Sequence, residues 1–143
     1  MFFSGTFEHT LDERGRLAIP ARYRPAFVEG GVLRRGPEGA IEMYTQQSFD
    51  EEVQRRIGAV DGSNRSEAAR MIRREFLPDS YNVDLDRQGR VLIPPQLRDE
   101  STENNGRILV IGCGDYLELW HPDRWIEERA RVADAARASE VHG

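Results

Sequence analysis

Two stretches of this 143-residue chain are versions of one another. LDERGRLAIPARYR, from Leu11 to Arg24, and LDRQGRVLIPPQLR, from Leu85 to Arg98, agree at seven of 14 positions with a constant offset of 74. Identity at that level within one chain marks an internal duplication, which restricts the fold more than any composition does. The likeness runs on through AIEMYTQQSFDEEV and YLELWHPDRWIEER, where Ile41, Glu42 and Phe49 stand against Leu117, Glu118 and Trp125 at an offset of 76, so the second copy carries a loop two residues longer. The repeats span about 1–78 and 79–143. More finely, they divide into a first repeat at 5–47, a helical connector at 48–78, a second repeat at 79–123, and a C-terminal helix and frayed tail at 124–143. A unit of about 40 core residues buries too little apolar area to fold alone, so the pair is expected to share one core.

Each copy predicts strand, tight turn, strand, short turn, strand, strand and helix. Phe7, His9 and Leu11 alternate into the first turn and Leu17 and Ile19 alternate out of it; Tyr81, Val83, Leu85, Val91 and Ile93 repeat the pattern. Gly15 and Gly89 supply the positive φ that such a turn needs. Pro20 and Pro94 stop ladder pairing and open a helical turn, at whose end Arg24 and Arg98 suit the helix dipole. Helix starts are read at Ser48, with the stripe Phe49, Val53 and Ile57, and at Pro122–Asp123, with Trp125, Ile126, Ala130 and Ala133. Both helices are expected to cover the sheet. A further helix, from Asn64 to Leu77 and present only in the first copy, sets Ala68, Ile72 and Phe76 opposite Arg70, Arg73 and Arg74. From Ala135 the stripe is lost and the tail is expected to fray. The fold class expected is mainly β with flanking helices, α+β, with two pseudo-symmetric halves interleaved into one small barrel-like core.

Composition narrows the function. With 38% hydrophobic and 31% charged residues the chain reads as soluble and globular. No apolar run approaches the ~18–20 residues of a membrane span. The start, MFFSGTFEH, lacks the basic and apolar regions of a signal peptide, and the cytoplasm is the expected compartment. The single cysteine, Cys113, has no second thiol for a disulfide or a zinc spacing and is read as structural. His9, His121 and His142 do not converge on a metal site. Asp84 and Asp86 are read as solvated strand-end charges, since the first copy has Thr10 where the second has Asp84. No nucleophile–base pair, phosphate loop or metalloprotease motif is present, so neither an enzyme nor a cofactor is expected. The net charge of −5 has the wrong sign for nucleic-acid binding through bulk charge. That deficit is concentrated in 99–143, with five basic and ten acidic residues, whereas 1–24 carry four arginines against three acids. All twenty basic residues are arginine, which fits genome composition or a hot habitat as well as phosphate and guanine recognition.

Local charge therefore carries the functional reading. Asp12-Glu13-Arg14-Gly15-Arg16 and Asp86-Arg87-Gln88-Gly89-Arg90 each set an aspartate and an arginine on opposite arms of a turn. An ion pair there would fix the loop and present arginine donors outward; the alternative is a purely structural salt bridge. Arg22 and Arg24 extend the first cluster as weaker candidates. Glu42 and Glu118, between apolar neighbours, point to a buried or interfacial carboxylate with an arginine partner, an inter-subunit pair being one option. Tyr44 and Trp120 beside them are either subunit anchors or core.

MFFSGTFEHTLDERGRLAIPARYR, the second LDRQGRVLIPPQLR and the ending DYLELWHPDRW together resemble the MraZ family, over roughly residues 1–130 and in both copies. The resemblance implies a swapped-hairpin fold of the SpoVT/AbrB type and a ring-shaped homo-oligomer. It also implies a nucleoid-associated transcriptional regulator, typically a repressor of its own operon of division and cell-wall genes, which binds direct repeats in double-stranded promoter DNA. The family's Asp-x-x-x-Arg signature falls on Asp12 and Arg16 and on Asp86 and Arg90, and its loop extends to Arg14, Gly15, Arg87 and Gly89. Gln88 replaces the basic residue usual before the second glycine. A protein-interaction module of the AbrB-antitoxin kind, docking a basic partner on the acidic second half, is the competing expectation.

Overall fold

The computed structural model describes residues 1–60, 65–98 and 106–142. The first half contributes β1 (Thr6–Thr10), β2 (Arg16–Ala18), a 3-10 helix (Ala21–Phe27), β3 (Gly31–Arg35), β4 (Ile41–Thr45), α1 (Gln46–Val60) and α2 (Glu67–Phe76). The second contributes β5 (Ser80–Val83), β6 (Arg90–Leu92), a short 3-10 helix (Pro95–Leu97), β7 (Arg107–Gly112), β8 (Tyr116–Trp120) and α3 (Pro122–His142). Pro20 and Pro94 precede the two 3-10 helices, as their fixed φ and missing N–H require.

Six strands form one antiparallel sheet in the order β1-β7-β8-β4-β3-β5. The halves exchange strands: β1 runs beside β7 with Phe7 opposite Val110, and β5 beside β3 with Tyr81 opposite Leu33. At the centre β4 meets β8, which places Glu42 directly across from Glu118. The remaining two strands pair only with each other, Leu17 opposite Val91, as a separate ribbon. The expected barrel is thus not closed. Pro20 and Pro94 end the short β2 and β6 before they can reach the large sheet, which stops at β1 and β5 as open edges.

Between the ribbon and the large sheet lies the main core. Leu17, Ile19, Val91 and Ile93 come down from the ribbon onto Leu33, Met43, Ile108, Val110, Leu117 and Leu119, with Phe3, Tyr23 and Phe27 closing one side. Burying each such aliphatic side chain contributes about 1.5–3 kcal/mol. The opposite face of the sheet is covered unevenly. On the first half, Phe49, Val53 and Ile57 of α1 pack with Val32, Tyr44, Ala69 and Phe76. Helix α1 begins at Gln46, two residues before the expected Ser48, because the Thr45 hydroxyl accepts the Ser48 N–H at 3.0 Å and caps it. Helix α2 is capped by Ser66, which accepts from the Ala69 N–H; the expected start at Asn64 lies outside the described residues.

The third helix departs from expectation twice. Its backbone stays helical to His142 rather than fraying from Ala135, and Gly143 lies outside the described residues. It covers the sheet only at its first turn, where Trp125 packs on Trp120 with ring centroids 5.4 Å apart. Beyond Glu128 every described side chain is exposed, as are Ile126 and Val132. The stripe is too thin in large apolar side chains to hold the helix down: after Trp125 and Ile126 its inward candidates are alanines.

Candidate nucleic-acid interface

Each arginine-bearing turn is built around its aspartate. In the first, Asp12 Oδ1 accepts the backbone N–H groups of Arg14 and Arg16 at 2.9 and 2.8 Å, while Oδ2 accepts from Arg16 Nε at 2.8 Å. The Gly15 N–H donates to the Asp12 carbonyl, with Gly15 at φ +79°. In the second, Asp86 receives the N–H groups of Gln88 and Arg90 and the Nε of Arg90, each at 2.9 Å, and Gly89 stands at φ +75°. The expected ion pairs are present in both turns. Backbone N–H donation first, and the arginine partner with it, holds both carboxyls below the usual aspartate range.

The turns lie side by side. Arg90 reaches past its own aspartate to within 3.6 Å of Asp12 Oδ2, and Arg98 of the second half donates to the Arg14 carbonyl of the first at 3.1 Å. The crossing is reciprocal, since the Ile93 N–H donates to the Gly15 carbonyl and the Ile19 N–H to the Gly89 carbonyl, both at 2.9 Å. One edge of the molecule therefore carries both turns. On it Arg14 and Arg87 are exposed, and their guanidiniums have no hydrogen-bond or ion-pair partner among the described residues. Arg16 and Arg90 are half-buried and engaged with aspartate. Exposed Arg22 lies over the ring of Tyr23 at 5.7 Å, and half-buried Arg24 donates its Nε to the Ile19 carbonyl at 2.9 Å. Nearby His9 is half-buried in β1 and held below its ordinary pKa by burial and by Arg24.

Away from that edge, other sequence candidates resolve into structure. Glu42 is buried with Arg34 of its own chain at 2.9 Å and accepts the Tyr44 hydroxyl at 3.1 Å. Tyr44 and Trp120 are 2% and 4% exposed, so both belong to the core. Glu118 has Ile111 where Glu42 has Arg34 across the strand pair, and it accepts instead from Trp120 Nε1 at 2.9 Å. Burial pushes the Glu118 carboxyl up and the neighbouring Cys113 thiol up to about 12, which keeps that thiol protonated and unreactive. His121 Nδ1 accepts the Asp123 N–H at 3.1 Å and starts α3. Among the described residues no group of three His, Cys, Asp or Glu side chains is placed to hold a metal ion, and no helix is long and apolar enough to cross a membrane.

Sequence reasoning missed Arg98, which it placed only at a helix end. Its recurrence with Arg24, nine residues after each turn glycine, was the available signal.

Comparison with known proteins fits this duplicated architecture. The family model for MraZ protein matches twice, over residues 2–75 and 76–140. The chain belongs to the MraZ family. It is 38% identical over 140 residues to the MraZ of Herpetosiphon aurantiacus, covering 98% of this chain and 95% of that one. The MraZ of Thermomicrobium roseum is 37% identical over 92% of this chain and 89% of its own, and that of a Roseiflexus species 40% identical over 86% and 83%. All three are named as transcriptional regulators, which supports a regulator of transcription, and not an enzyme, for this MraZ chain.

Proposed function

We propose that this chain is a sequence-specific DNA-binding regulator, a repressor of its own division and cell-wall operon. In this reading the paired turns meet double-stranded promoter DNA at direct repeats. The observation that carries the reading is the single edge on which two aspartate-locked turns hold Arg14 and Arg87 outward, together with MraZ relatives named as transcriptional regulators. A turn held by its own carboxylate loses little further entropy on binding, and a planar guanidinium matches phosphate and guanine alike. Asp12, Gly15, Arg16, Asp86, Gly89 and Arg90 shape the edge; Arg14 and Arg87 offer free donors, and exposed Arg22 is a weaker candidate.

One chain supplies few cations to DNA and carries a net charge of −5, so useful affinity calls for several copies acting together. A ring-shaped homo-oligomer serves this, because its edges could meet successive major grooves about 34–36 Å apart. The strand exchange of β1 with β7 and of β5 with β3 supports the swapped-hairpin reading, with the repeats at 5–47 and 79–123, the connector at 48–78 and the C-terminal segment at 124–143. Residence is cytoplasmic and nucleoid-associated.

The test is a fluorescence-anisotropy titration against the duplex upstream of the protein's own gene and a scrambled duplex, at two salt concentrations, with Arg14→Ala and Arg16→Ala alongside. Tight, salt-sensitive binding to the native duplex, weakened at least tenfold in both variants, is expected. Equal weak binding to both duplexes by all three proteins would make the turns structural and overturn the reading.

A further inference from the structure

Half-buried arginines of the same repeat position lie against the two turns, each supplied by the other half of the chain. Arg98 donates its Nε to the Ile93 carbonyl at 2.8 Å, which aims its guanidinium across the ribbon at the first turn. There it packs against Gly15, where a Cβ would collide with the Arg98 Cζ and Nη2. Arg24, tied by its Nε to the Ile19 carbonyl, packs on Gly89, where a Cβ would collide with the Arg24 Nε and Cδ. Each glycine thus answers two demands, a positive φ and a face bare enough for a guanidinium to rest on. The Gly15 and Gly89 carbonyls are held from the opposite half as well, by the N–H groups of Ile93 and Ile19.

We propose that Arg24 and Arg98 are positioning residues rather than DNA contacts, each half's arginine bracing the arginine-bearing turn of the other half. This rests on the turns being the DNA-binding element, but the brace itself is a property of the free protein. Its chemistry needs arginine. A planar fork can cover a glycine Cα while Nε satisfies a carbonyl of its own half and, for Arg98, Nη2 satisfies the Arg14 carbonyl across the interface; an ammonium can do one of these but not all. The arrangement also makes the turns interdependent, since each is locked by its own aspartate but covered at its glycine by an arginine of the other half.

The experiment uses the full chain with Arg98→Ala, Arg24→Ala and the milder Arg98→Lys, each checked for a cooperative thermal transition. Amide hydrogen exchange of the free protein reads the brace directly. In Arg98→Ala, exchange at the Arg14 and Arg16 amides is expected to rise at least tenfold while the Gln88 and Arg90 amides hold; Arg24→Ala is expected to show the reverse. Promoter-duplex binding is then expected to weaken about tenfold in Arg98→Ala, with an unchanged slope of log K against log salt and no rescue in Arg98→Lys. Unchanged exchange in either variant, or an equal rise in both turns, would overturn the brace. So would a salt slope lowered by about one with affinity restored by lysine, the signature of a direct phosphate contact. If exchange moves as expected but the wild-type protein does not distinguish the duplexes, the brace stands and the DNA reading falls. Should Arg98→Ala fail to fold, Arg98→Lys carries the exchange test, with the same selective rise at Arg14 and Arg16 expected.

Discussion

Asp12 and Asp86 show how one carboxylate organises a turn, because each spends both oxygens on its own loop. Their carboxyls ionise more readily in the folded turn than in an unfolded chain. A carboxylate with a lowered folded pKa stabilises fully above its unfolded value of about 3.8 and loses that contribution as pH falls through the folded value. Asp12→Asn is therefore expected to lower Tm at neutral pH, with the gap to wild type narrowing below pH ~3.8, as read from thermal melts across pH. Glu118 has the opposite sign. Burial raises its carboxyl, so its charged form costs stability as pH rises above the unfolded value of about 4.3. Glu118→Gln, which keeps an acceptor for Trp120, is expected to raise Tm at neutral pH and to match wild type in acid. Glu42 differs again, since Arg34 balances it; that guanidinium also lies 4.1 Å over the Phe76 ring. Glu42→Ala would leave Arg34 buried and unpaired, and a loss of about 3–5 kcal/mol is expected in urea unfolding.

Among the elements, α1 and α3 follow one design with different outcomes. Both start just after a strand of the same repeat position, but α1 buries Phe49, Val53 and Ile57 under the cover of α2, whereas among the described residues no second helix encloses α3, which buries Trp125 only in part. The connector helix is thus what turns an amphipathic segment into a packed one in the first half. From Arg129 to Glu140 the side chains of α3 are exposed. A chain ended after Arg131 is expected to unfold within about 0.5 kcal/mol of the full-length protein, the range typical of surface changes. A larger loss, measured at several protein concentrations, would place this helix inside an assembly.

For the whole molecule, the acidic balance and the arginine edge have to be considered together. The net charge of −5 repels DNA at long range, so binding is expected to be steep in salt and confined to the edge. Removing the free guanidinium with Arg14→Ala is expected to lower the slope of log K against log salt by about 0.9 for each phosphate it no longer neutralises, which anisotropy at four or five salt concentrations would measure. Arg16→Ala is expected to weaken binding mainly by releasing Asp12, with a smaller change in that slope.

Much of this was legible in the sequence because it is local. The duplicated segments, the alternation of Leu17 and Ile19 against Val91 and Ile93, the proline stops, and an aspartate four residues before an arginine all act over a few residues, where spacing dictates geometry. What lay beyond reach depends on neighbours distant in the chain. Periodicity tells which face of β1 is apolar but not that β1 pairs with β7, nor that the sheet stays open while β2 and β6 stand apart. It marks Arg98 as a helix-end cation but not as the cover of Gly15, 83 residues away. Two repeat units too small to fold alone specify that the halves must share a core; only the packed tertiary structure decides which half's arginine lies on which half's turn, because that choice is made by close contact between residues far apart in the chain.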